Sequence, residues 1–199
     1  FLPRLRAAES WETNEVIQKS RRAALAVLKP TAAQLERGLK LHQESLVFDT
    51  YSFAPRCAVD GEAMAKLAQE NASAVEIKDA RERMMMIRCV DDAAERDEYM
   101  QAWKASGVTC IFQNAGEEGQ APLRLIKRLA NFTYVTDHLR GFLNKAATPD
   151  DVISAKKSGK HCLYLTGNGV PLTQQWISVP DELRYLMVFR NLGIRMMHL

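Results

Sequence analysis

Apolar residues along this chain fall into short continuous runs and into longer stretches spaced by three and four, and the two rhythms alternate from end to end. That alternation predicts strands threaded between helices. The first forty residues predict two polar-faced helices, the second opening at Pro30-Thr31 with Gln34 three places after Thr31, the spacing of a capping box. These read as a lead-in arm over residues 1–44. Leu46-Val47-Phe48 is a short apolar run ending in Asp49-Thr50-Tyr51-Ser52-Phe53-Ala54-Pro55, where Pro55 stops regular structure, and it predicts the first strand. A long helical region follows. Its last helix starts near Asp91-Asp92, presents Tyr99 and Trp103 four apart, and stops at Gly107. Val108 to Phe112 predicts the second strand.

After a glycine-containing loop, Asn114 to Gln120, Pro122 opens a helix with Ile126, Leu129, Phe132, Val135, Leu139 and Phe142 on one apolar face. Thr148-Pro149-Asp150-Asp151 supplies a cap, a first-turn proline and acids at the positive end of the next helix, which Gly159 ends. Cys162 to Leu165 predicts the third strand. Ser178-Val179-Pro180-Asp181 caps a helix running to Gly193, and Ile194 to Leu199 predicts the fourth strand.

Connections this long rule out hairpins, so the strands require crossovers and a parallel sheet covered by helices. A doubly wound sheet and a barrel both satisfy the pattern. In either, ligands gather at the carboxyl ends of the strands. The residues to examine are therefore Tyr51 and Phe53, Gln113 and Asn114, and Thr166 to Val170. Trp176, following Gln174-Gln175 in the loop after the third strand, reads as lining a pocket at the same mouth.

Composition narrows the function. With 47% apolar and 26% charged residues over 199 positions, the chain carries enough apolar residues for one sizeable core. Its 27 basic and 24 acidic residues are interleaved, with no basic block among aromatics, which argues against nucleic acid. The apolar runs are broken by charge far short of the roughly 18 residues of a membrane span. Cys57, Cys89, Cys110 and Cys162 are widely spaced without a CxxC pair and read as unpaired thiols. Met84-Met85-Met86 reads as core filling, and Glu117-Glu118 as a solvated loop. Gly167-Asn168-Gly169 lacks the Lys-Ser/Thr of a phosphate loop. The chain opens on Phe1 and ends at Leu199 inside a predicted strand, so it is expected to be the first part of a larger domain, with unpaired sheet edges.

Three segments in register resemble the membrane (renal) dipeptidases of the metal-dependent amidohydrolase superfamily. The first is Leu46 to Pro55, against an opening strand of the form Asp-Gly-His-Asn-Asp-Leu-Pro. The second runs from Thr148-Pro149-Asp150-Asp151-Val152 through Ser158-Gly159-Lys160 to Leu165-Thr166-Gly167-Asn168-Gly169, similar to a helix, a strand and a Glu-Gly-Gly turn. The third is Asp181-Glu182-Leu183-Arg184 to Asn191-Leu192-Gly193-Ile194-Arg195. The resemblance implies an α/β fold: the N-terminal half of a (β/α)8 TIM-type barrel over residues 45–199, preceded by the helical arm.

It also implies two zinc ions whose bridging hydroxide attacks a dipeptide, chemistry that needs imidazole and carboxylate ligands. The family's ligand positions hold Tyr51 for His, Phe53 for Asp and Asn168 for the bridging Glu. A phenyl ring offers no lone pair, a carboxamide is neutral, and a phenol losing its proton only near pH 10 is a poor zinc ligand. No His-x-Asp occurs anywhere to restore the motif. His42, His138 and His161 fall away from a barrel mouth; His198, within the fourth strand, reads as structural. The expectation is a divergent dipeptidase-like hydrolase. Tyr51, Gln113, Asn168 and Trp176 would contact a dipeptide-like small molecule, and at most one divalent metal such as zinc would be held by residues beyond Leu199. The alternative is an inactive barrel that binds a small molecule or peptide, or serves as a subunit. Its partners would be the C-terminal half of the barrel and, in a homo-oligomer, a second copy.

Overall fold

The protein is described from a computed structural model, which covers residues 10–117, 122–169 and 178–198. A short 3-10 turn, Ser10–Glu12, leads into α1 (Glu15–Leu28), whose N-cap Asn14 accepts from the backbone N–H groups of Val16 and Ile17. α2 (Ala32–Glu44) opens with the capping box read from Thr31 and Gln34. Neither helix buries a residue, so the arm is fixed by a few polar links. Asn14 Nδ2 donates to Gln101 Oε1 at 2.8 Å, and Lys156 Nζ donates to the Gln43 carbonyl at 2.7 Å. The His42 ring lies over Gly107, whose φ of +65° and missing side chain both suit a helix end: a Cβ there would stand 2.5 Å from the imidazole.

Beyond the arm come β1 (Phe48–Ser52), α3 (Gly61–Gln69), α4 (Ala74–Asp91), α5 (Ala93–Ser106), β2 (Cys110–Glu117) and α6 (Pro122–His138). They are followed by β3 (Leu143–Lys145), α7 (Pro149–Lys157), β4 (His161–Asn168), α8 (Val179–Asn191) and β5 (Met196–Met197). Several elements differ from the pattern: β4 runs from His161 on to Asn168, and β5 is confined to Met196–Met197. The first strand begins at Phe48 rather than Leu46. The second extends to Glu117, through residues whose polarity suggested a loop, because Gln113 and Asn114 pair with Leu165 and Thr166. β3, three residues long, is too short to show a period.

Every pairing is parallel. β2 lies between β1 and β4; β3 pairs with the start of β4, Leu143 opposite His161, and β5 with its end, Thr166 opposite Met196. β1, β2, β4 and β5 thus neighbour one another in chain order, with the short β3 sharing the outer edge of β4 with β5. That is the order of a barrel, whereas a doubly wound sheet reverses its order partway. The chain is an α/β fold with a partial barrel-like parallel sheet.

The two faces are covered unequally. Ile111, Ala115, Leu163 and Leu165 pack under α4, α5 and α6 against Ile87, Trp103, Leu125 and Leu129. On the other face, Val152 and Ala155 of α7 cover only Cys110 and Cys162 at the strand starts, leaving Phe112 and Tyr164 half-buried above them. α4 and α6 are also joined by charge: Glu82 accepts from Arg124 at 3.2 Å and from Arg128, and Asp79 pairs with Lys127. Burial works to raise the Glu82 pKa, but hydrogen bonds and charge from Arg128 and Arg124 outweigh it and hold the carboxyl below its usual range. A carboxylate depressed in the fold contributes stability above its unfolded pKa near 4.3, and that contribution is lost as pH falls through the folded value. Melting temperature should therefore drop below about pH 4, and Glu82→Gln should flatten that part of the profile. An unchanged acid limb in the variant would rule out this pair as its source.

Candidate functional site

Alternation from Phe48 would put Tyr51 on the helix-covered face. The ladder shows otherwise: Asp49 pairs with Ile111 and Ser52 with Gln113, three steps of β1 against two of β2. This bulge inverts the alternation, as an extra residue must. Tyr51 accordingly joins Phe48 and Phe112, whose rings meet edge-on at 6.1 Å, on the open face. β4 contributes Tyr164 and Asn168 to the same face, with the Tyr164 ring 4.7 Å from Phe112.

At the carboxyl ends the geometry closes on two side chains from β1 and β4. Asn168 Nδ2 donates to the Tyr51 phenol oxygen at 2.9 Å, and that hydroxyl lies 3.3 Å from Asn168 Oδ1. The His198 ring stands 6.4 Å from Tyr51, carried there because β5 pairs with the end of β4 and the His198 N–H donates to the Gly167 carbonyl at 3.2 Å. His198 therefore sits at the site, although the sequence reading made it structural. The signal that could have found it was its offset from Gly193, which lies in the turn between α8 and the last strand. Together the phenol, the carboxamide and the imidazole offer donors and acceptors over a floor of Phe48, Phe112 and Tyr164.

The other expected site residues fall elsewhere. Gln113 is 4% exposed, faces the helices, and pairs with Leu165, three positions before Asn168. Its Oε1 accepts the Ala54 N–H at 2.6 Å and its Nε2 donates to the Asn114 carbonyl at 2.8 Å. Its convergence with Tyr51 and Asn168 is thus corrected: the second strand runs past it, and its amide anchors the loop leaving β1. Phe53 lies under the Arg56 guanidinium, 5.0 Å from the ring centre. Trp176, with Gln174, Gln175 and Val170, lies outside the described residues. Glu117 ends β2 rather than lying within a loop, and Glu118 lies outside the described residues. His138 Nδ1 contacts the Tyr134 carbonyl at 2.8 Å. His161 is held between Trp103 and Phe142, and its burial lowers its pKa. Among the described residues no group of three or more His, Cys, Asp or Glu is placed to hold a metal ion, and no helix is long and apolar enough to cross a membrane.

No family model matches the chain. No curated protein matches it either. Among solved structures it is similar to an amidohydrolase from Pseudomonas aeruginosa, at 12% identity and a TM-score of 0.46, over 80% of this chain and 35% of that one. The chain thus spans about a third of the length of that protein.

Proposed function

We propose that residues 45–199 contribute the first half of a dipeptidase-like barrel, behind an arm of residues 1–44, and that its mouth binds a dipeptide-sized amide without a two-metal centre. The observation that supports this reading is the Tyr51–Asn168 hydrogen bond, formed between two positions where the family resemblance expects metal ligands. Two adjacent divalent cations bring four positive charges, and carboxylates are needed to offset their repulsion and lost hydration. Phe53 in place of Asp and Asn168 in place of Glu remove two negative charges, and Tyr51 removes a nitrogen donor. What remains is neutral and directional. A carboxamide beside a phenol presents both donor and acceptor, as an amide ligand requires. Hydrolysis, if the complete barrel performs it, would run on a single ion held by residues beyond Leu199.

The test is metal counting by native mass spectrometry on the full-length protein in excess zinc, with dipeptide hydrolysis assayed with and without chelator. At most one zinc per chain is expected, with little or no turnover by the bridging-hydroxide route. Calorimetry with a dipeptide should show binding that Asn168→Ala weakens by about fivefold, the worth of one hydrogen bond near 1 kcal/mol. Two tightly bound zinc ions with chelator-sensitive turnover would overturn the proposal.

A further inference from the structure

The four cysteines, scattered in sequence, are gathered two by two in the fold, and all are buried free thiols. Cys57 lies in the loop leaving β1, and Cys89, 32 positions later, on α4. The Cys89 backbone N–H donates to the Cys57 sulfur at 3.1 Å, which brings the two residues side by side. The loop is tied down around them. Cys57 N–H donates to the Met85 carbonyl at 2.9 Å, Arg88 to the Ala58 carbonyl at 2.7 Å, and Ala58 N–H to Glu95 at 2.8 Å.

The geometry points to Cys57 and Cys89 as a peroxide-sensitive dithiol that closes into a disulfide, stapling the loop behind the site to α4. Cys57 is the attacking member. Its sulfur accepts the Cys89 N–H and is 7% exposed, and hydrogen bonds from Cys89 favour its thiolate against burial and the nearby Glu95 carboxylate, whereas Cys89 is fully buried with its thiol 3.9 Å from the Met86 carbonyl. The Cys57 thiolate attacks one oxygen of hydrogen peroxide; an S–O bond forms, the O–O bond breaks, and hydroxide leaves to be protonated to water. The Cys89 sulfur then gives up its proton and displaces the oxygen from Cys57 as a second water, forming the S–S bond. Two thiols lose two electrons in all, and one peroxide becomes two waters.

The second pair provides the contrast. Cys110 and Cys162 stand directly opposite on neighbouring parallel strands beneath α7, at 0% and 1% exposure, so neither sulfur is as accessible as that of Cys57, at 7%. Strands spaced about 4.8 Å apart hold such β-carbons wider than the roughly 3.8 Å a disulfide favours. The Cys162 thiol is also engaged, donating to the Thr109 carbonyl at 3.5 Å. These two should stay reduced.

The experiment treats the reduced full-length protein with hydrogen peroxide, then unfolds and alkylates it for peptide mapping. Two of the four thiols should disappear into a linked Cys57–Cys89 peptide, two hydrogens lighter and restored by dithiothreitol. Cys89→Ser should leave a sulfenic acid at Cys57 that dimedone traps, and Cys57→Ser should leave Cys89 unlabelled. A Cys110–Cys162 link, four surviving thiols, or dimedone on Cys89 in the Cys57→Ser protein would overturn the assignment.

Discussion

Replacing Trp103 by Ala is expected to destabilise the fold by about 3–5 kcal/mol, the largest loss of any single substitution considered for this chain. The ring is fully buried. It meets Tyr99 at 6.4 Å within α5 and lies 4.9 Å from the His161 ring at the start of β4; His161 in turn contacts Phe142, just before β3. One indole therefore joins a helix to the base of the sheet, and truncation leaves a cavity where three elements meet. Against a typical net stability of about 5–15 kcal/mol, such a loss removes much of the margin. Urea denaturation should show the midpoint falling steeply for Trp103→Ala and less for Trp103→Phe. A loss under about 1 kcal/mol for the alanine variant would contradict this account of the core.

Gln113→Leu should cost about 1–3 kcal/mol, because it strands a half-buried N–H and a buried carbonyl that the amide now satisfies. The Ala54 N–H loses its acceptor and the Asn114 carbonyl its donor. The effect should also be local and visible. Hydrogen exchange at Ala54 should accelerate, and dipeptide affinity should fall although Gln113 touches neither Tyr51 nor Asn168, because the loop beside Tyr51 is freed. Unchanged protection at Ala54 would show that the loop is held by something else.

Much of the fold was legible because its signals are local. The caps at Thr31, Thr148 and Ser178 announce α2, α7 and α8, and each forms as the sequence indicates, while α5 begins where the sequence places it, just after Asp92. What was not legible depends on partners far along the chain. The bulge between Asp49 and Ser52 exists only against β2, so nothing within β1 reveals that Tyr51 turns to the open face. Gln113 was singled out as polar near a strand end, but the ladder continues to Glu117 and its register sets the side chain on the helix-covered face. The pairing of Cys57 with Cys89 depends on how the loop after β1 meets α4, a tertiary relation that spacing does not encode.

The strand order has a consequence for synthesis on the ribosome. Because β1, β2, β4 and β5 stand side by side in the order in which they are translated, each strand finds its partner's edge already made, and the sheet can grow vectorially from one side. One exposed interval follows β4, whose outer edge waits for β5 while α8 is being made. At about 5–20 residues per second, that wait lasts a few seconds. β3, translated just before β4, covers the base of that edge by pairing with His161, Cys162 and Leu163, so only the upper part is exposed to aggregation before β5 arrives.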